Sequence, residues 1–202
     1  MSVLQELRGM GPSRTLTLSE ARFVAERQAH RLRLRLALQH TPLLPSEAIE
    51  SLPRLRVRSV DGLSSSGLSG WHIPSRTWQV YLNADDDARR QRFTLLHEYK
   101  HIIDRPFDGQ LVSFGAFPSS DQVEMLCDHF ASCALMPRPQ VKWEWINGNQ
   151  TVQGLAMVFG VTPAAMRVRL SKLGLNAAEP SRRHSPMTRS DDLLALGGVS
   201  LT

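Results

Sequence analysis

An α+β fold is predicted, with a small sheet carrying two long helices and a short helix-turn-helix-like unit behind it. Three features of the 202-residue sequence predict it. Leu55 to Val60 alternates as a half-buried strand does, and Trp71 to Ile73 and Trp78 to Asn83 read as two more short strands. Apolar stripes at helical spacing run through Asp87 to Asp104 and through Ser119 to Met136. Beyond Pro139, Thr151 to Phe159 and Pro163 to Leu173 form a helix, a turn holding Gly160, and a second helix.

Residues 1–16 carry little pattern and are expected to be a mobile leader. Thr17 and Glu20 then write a capping box, and Ala21, Val24, Ala25, Ala29, Leu32 and Leu36 recur on one face of a packing helix with arginines mostly opposite. Pro42 and Pro45 break the chain before a short helix near Ser46 to Ser51. After the first strand, the Ser- and Gly-rich stretch from Gly62 to Gly70 reads as a loop. An edge strand of a small sheet can take an extended peptide by strand addition, and residues 78–83 are the candidate for that edge. His72 and Tyr81 are candidate oxyanion donors, with a structural role for each as the plainer reading.

The next segment carries the chemistry. Asp85, Asp86 and Asp87 sit where a helix start wants a cap and negative charge, and Phe93, Leu96, Ile102 and Ile103 supply the apolar stripe. Within it stands His97-Glu98-Tyr99-Lys100-His101. Residues four apart share a helix face, so both imidazoles can reach one ion, and Glu98 is placed to take a proton from bound water. Zinc is the default metal, although the same donors also serve manganese. A metzincin is excluded in outline, because Phe107 and Asp104 stand where that pattern needs its third histidine and its glycine bend. The alternative is a carboxylate from a second helix. Ser119 and Gln122 form a capping-box pattern, Pro137 ends the helix, and Glu124 and Asp128 share a face, so one can bind the ion while the other orients a histidine. His129 and Asp104 are rival third ligands.

His-Glu-Tyr-Lys-His followed by Glu124, Asp128, Phe130, Ala131, Leu135, Met136 and Pro137 resembles the ImmA/IrrE family of metallopeptidases. The likeness extends over roughly residues 20–176, through the segment from Leu155 to Leu175. It implies a zincin-like metallopeptidase core in which His97, His101 and Glu124 hold zinc and Glu98 is the catalytic acid/base. It further implies a regulatory endopeptidase whose protein substrate is a DNA-binding repressor of the helix-turn-helix type. Members often carry Asn where this chain has Asp128 and Ala where it has Cys127, and neither departure removes a ligand.

The expected organisation is a leader (1–16), a peptidase domain (17–140), a helix-turn-helix-like unit (141–178) and a disordered tail (179–202). Between the long helices, Phe107, Leu111, Val112, Phe114 and Phe117 are expected to pin a loop that walls the cleft. Arg167, Arg169 and Lys172 would face outward on a recognition helix if the unit bound DNA, and packing on the core or on a protein substrate is the simpler reading.

Charge is uneven. Residues 1–60 hold 10 basic and 5 acidic groups, 61–140 hold 7 and 10, and 141–202 hold 7 and 4, so the proposed core is acidic and its flanks basic. That leaves a second functional class, a DNA-associated or antitoxin-like binding module with a structural or vestigial metal site, against which the intact Glu98 argues. No signal peptide or membrane span is legible, since the uncharged run from Trp145 to Met166 is broken by Asn, Gln, Gly and Pro. Cys127 and Cys133 lie too far apart along one helix to pair, so a cytoplasmic protein with reduced thiols is expected.

Overall fold

Ser2 and Gln5 close a capping box on the first helix, α1 (Val3–Arg8), in the computed structural model, which describes residues 1–107 and 120–175. The expected mobile leader is therefore corrected over its first half. Val3, Leu4, Leu7 and Met10 recur at helical spacing, and Leu7 is fully buried in the main core. A six-residue helix has too little propensity of its own and is held by that contact. Helix α2 (Leu18–Arg35) opens on the expected Thr17–Glu20 box and buries Ala21, Ala25, Ala29 and Leu32. Arg33 departs from the expected outward arginine face. It is buried and donates to Ala134 O at 2.9 Å, to Leu38 O at 2.8 Å and to Thr41 O, joining α2 to the chain that leaves it.

After the short α3 (Ser46–Glu50) come three strands, β1 (Leu55–Val60), β2 (Gly67–His72) and β3 (Thr77–Asn83). Their order is β1-β3-β2, with β3 parallel to β1 and antiparallel to β2. The expected edge strand is thus the central one, and β2 is an edge. Burial explains the difference, because Thr77, Gln79, Val80 and Leu82 are shielded on both faces of β3, as befits a strand paired on both sides. Strand β2 also begins inside the stretch expected as a loop. Its Gly67 lies so close to the next helix that a Cβ there would sit 2.5 Å from Thr94 Cγ2, and a glycine-rich sequence that packs this tightly reads as coil.

Helix α4 (Ala88–Asp104) starts at Asp87, whose Oδ1 accepts from the Arg89 and Arg90 N–H groups at 2.8 and 2.9 Å. One face packs Leu95, Leu96, Ile102 and Ile103 into the core, and α5 (Ser120–Leu135) brings Phe130, Ala131, Ala134 and Leu135 to the same cluster. A polar strut runs through this layer. Lys100 Nζ donates to Asp104 Oδ1 at 2.6 Å and to Gln28 Oε1 at 2.7 Å, and Gln28 Nε2 donates to Leu7 O at 3.0 Å.

Helix α6 (Arg138–Ile146) was not anticipated. Pro139 reads as a breaker, but in the first turn its missing N–H costs nothing. The expected pair follows as α7 (Val152–Phe159) and α8 (Pro163–Leu173), with Gly160 between them in the left-handed region at φ 60. Leu155, Phe159, Met166 and Leu170 belong to the same buried cluster as α4 and α5. Arg92 donates to Gly160 O and Arg169 Nε to Met136 O at 2.9 Å, which ties the pair to the long helices. The cleft-wall loop at 108–119, the Ser119 end of its capping box and the tail from 179 lie outside the described residues. No helix among the described residues is long and apolar enough to cross a membrane.

Lys100 is 1% exposed and donates to both Asp104 and Gln28, so removing it takes one buried donor from each. Lys100→Met is expected to cost about 1–3 kcal/mol in urea unfolding, although it is an apolar substitution of similar length.

Candidate metal centre

Helical pitch brings His97 and His101 to one side of α4, as the four-residue spacing predicts, with ring centroids 4.9 Å apart. Their Nε2 atoms stand 3.1 Å from each other. The carboxylate of Glu124, reaching across from α5, closes the triangle: Oε2 is 3.0 Å from His97 Nε2 and Oε1 is 3.3 Å from His101 Nε2. Asp128, one turn on from Glu124, lies 2.8 Å from His97 Nδ1. The structure thus brings together the side chains expected at the site from both helices. His129 is not among them. It faces Cys133 Sγ at 3.6 Å, and Asp104 is engaged with Lys100.

These distances test whether a metal fits. When Asp128 accepts a proton from Nδ1, 2.8 Å away, a neutral His97 ring presents its Nε2 lone pair toward Glu124 and His101. Two imidazole nitrogens and a carboxylate at about 3 Å are held together by positive charge among them, either a metal ion or a proton on a ring nitrogen. A tetrahedral zinc with bonds of about 2.0–2.1 Å sets its ligands about 3.3 Å apart, close to the Nε2–Nε2 distance and to the distance from each Nε2 to its own nearer Glu124 oxygen. Electrostatics point the same way. Burial lowers the His97 pKa, yet the Asp128 hydrogen bond and the charges of Asp128, Glu124 and Glu98 outweigh it, so the ring is held above its ordinary value. The pocket favours positive charge.

Cys127 offers a rival third donor, since its sulfur falls within 4.8 Å of both histidines. Burial pushes the Cys127 thiol far above its ordinary range, whereas the Glu124 carboxylate stands 3.0–3.3 Å from both rings. Cys127 is fully buried and serves as packing under the site.

Glu98 is 8% exposed and lies on the α4 flank nearest β2, its Cγ 3.5 Å from where a Gly67 Cβ would stand. His72 and Tyr81 do not join it. Along β2 and β3, Gly67, Ser69 and Trp71 share the helix-side face with Trp78, Val80 and Leu82, so His72 and Tyr81 belong to the opposite face. His72 Nδ1 instead pairs with Ser75 Oγ at 2.7 Å in the β2–β3 turn. Gly67 is the residue that sequence reasoning missed. A glycine inside a strand marks close backbone approach, and this one sat in a stretch too rich in Ser and Gly to be read as strand.

The candidate DNA face is also changed. Arg167 and Lys172 are exposed on α8, but Arg169 is 2% exposed and bonded to Met136 O, so it is not available to a phosphate or a base.

Among solved structures, a transcriptional regulator from Mycobacterium tuberculosis has a similar fold, with a TM-score of 0.53 and 16% identity over 85% of this chain and 52% of that one. The chain thus spans about half the length of that regulator. No curated protein sequence matches it significantly. The model of the family Peptidase_M78, the IrrE N-terminal-like domain, matches residues 54–171, a span that holds His97, Glu98, His101, Glu124 and Asp128, and the chain belongs to this family of metallopeptidases.

Proposed function

We propose that the chain is a zinc-dependent endopeptidase in which His97, His101 and Glu124 hold the ion and Glu98 is the acid/base. The observation that carries this reading is the triangle of two imidazole nitrogens and one carboxylate at 3.0–3.3 Å, built from two helices of a peptidase-family chain. Bound there, zinc supplies Lewis acidity and lowers the pKa of a water to about 7. The protein's own groups do the rest. Asp128 keeps the proton of His97 on Nδ1 and so aims Nε2 inward. Glu98 takes the proton of the attacking water and returns it to the nitrogen of the departing amine.

Edge strand β2 is the natural place for the substrate backbone. Among the described residues it pairs with β3 alone, and its Gly67 end lies against the turn of α4 that bears Glu98. A peptide added there extends the sheet and passes its carbonyls across the site. The substrate we propose is a specific protein, a DNA-binding repressor being the reading the family resemblance supports, cut in the cytoplasm. The similar fold of a transcriptional regulator agrees with a regulatory setting, and the exposed remainder of α8 offers a surface to a protein as readily as to DNA.

Glu98→Gln is expected to retain stoichiometric zinc by elemental analysis while losing peptide cleavage by at least about a hundredfold. Cleavage preserved in that variant would sink the mechanism. Glu124→Ala should release the metal on dialysis, and Asp128→Asn should weaken zinc affinity about 10- to 100-fold in a chelator competition. Gly67→Ala sets a methyl against Thr94 and against Tyr81 O at 3.0 Å, so it should lower kcat/KM with zinc content unchanged.

A further inference from the structure

Helix α5 carries a second pair of donor residues four apart. Glu124 and Asp128 face α4, whereas His129 and Cys133 share a different flank of the helix, where α2 brings Glu26 against them. His129 Nε2 lies 3.6 Å from Cys133 Sγ, and a Glu26 carboxylate oxygen falls within 4.8 Å of both. A tetrahedral zinc with bonds of about 2.0–2.1 Å to nitrogen and about 2.3 Å to sulfur sets those two atoms about 3.6 Å apart. The pair is spaced for one ion.

Each donor is available. Glu26 stands 3.9 Å from Arg169 Nη2, beyond hydrogen-bond range, so that contact does not consume its carboxylate, and its side chain is 39% exposed, which gives an ion a way in. A hydrogen bond with the Arg22 backbone orients the His129 ring. Burial, with the charges of Arg169, Lys172 and Arg22, pushes that ring down to about 4, so the imidazole keeps a lone pair near neutral pH. Cys133 is 3% exposed, and Arg169 Nη1 donates to its Sγ at 3.4 Å. When a metal binds, the Cys133 S–H bond breaks, its proton leaves to solvent, and the Arg169 N–H steadies the thiolate from outside the ligand shell. The nearby cations oppose a hard, hydrated ion such as magnesium or calcium. The site therefore selects a metal that bonds strongly to nitrogen and sulfur.

We propose that Glu26, His129 and Cys133 form a second metal site, which takes zinc or another thiophilic divalent ion of the first transition row, with water completing the shell. Its ion ties α2 to α5 and, through Arg169, lies against α8, so it braces α5 on a flank other than the one that presents Glu124. The two centres share no ligand. This site stands whether or not the first one cleaves peptides.

The test uses the full chain carrying His97→Ala and Glu124→Ala, which disable the first centre, titrated with cobalt(II) and then with zinc. About one equivalent of cobalt is expected to bind with a sulfur-to-metal charge-transfer band in the near ultraviolet, and zinc should displace it. Cys133→Ser should abolish the band. Cys127→Ser should leave it, a control needed because that sulfur lies beside His97 and His101. Glu26→Gln, at a half-exposed position, should keep the fold by circular dichroism and weaken zinc binding at least about tenfold in chelator competition. No charge-transfer band, a band that survives Cys133→Ser, or one that Cys127→Ser removes instead overturns the proposal. Should Cys133→Ser fail to fold, Glu26→Gln decides, and unchanged zinc affinity in that variant overturns the site.

Discussion

An imidazole lone pair aimed at a carboxylate 3.0 Å away is repulsive unless something positive stands between them, and the packing of α4 and α5 fixes the backbones that bring the two together. Both helices are anchored by side chains with no freedom to shift. Leu95, Leu96 and Ile103 on one and Phe130, Ala131 and Ala134 on the other are wholly buried in a single cluster. The donors are therefore presented by a layer whose rearrangement would open cavities, at several kcal/mol for each large side chain displaced. Preorganisation of this kind keeps two imidazoles and a carboxylate close to one another.

Underneath, the polar strut from Lys100 through Gln28 to the Leu7 carbonyl runs across three helices. A buried ion pair contributes little net stability, but sliding α4 against α2 would break the Lys100–Gln28 bond and leave a buried donor and acceptor unmet. Asp128 plays a related part on the solvent side. It is 58% exposed yet sits 2.8 Å from a ring nitrogen that is mostly covered, so it sets the histidine's tautomer without being part of the core.

Much of this was legible in the sequence because the informative features are local. The Thr17–Glu20 box, the Asp87 cap, the four-residue spacing of the histidines and the shared face of Glu124 and Asp128 all depend on helical pitch, which a sequence displays directly. The features that escaped are set by tertiary contact. Helix α1 exists because Leu7 finds a core to enter, and α6 because Pro139 falls in a first turn. The position of β3 at the centre of the sheet depends on a parallel pairing with β1 that no turn residue announces. Arg33 and Arg169 look like surface charges in a basic chain, yet each reaches inward to cap the carbonyls at the end of α5, at Ala134 and Met136.

That last point bears on how the C-terminal helix pair relates to the rest. A DNA-reading module needs its recognition helix free on one side and its own core on the other. Here α7 and α8 share the core of α4 and α5, one of the three basic side chains of α8 is consumed in that contact, and Arg92 of α4 reaches the turn between them. The pair acts first as a wall that braces the far ends of the two donor-bearing helices. Basic residues at the flanks then need no nucleic acid to explain them, since several are inward-facing ties that keep an acidic centre in register. A helix-turn-helix outline is a way of packing two short helices, and what it does is decided by which of its charges remain in water.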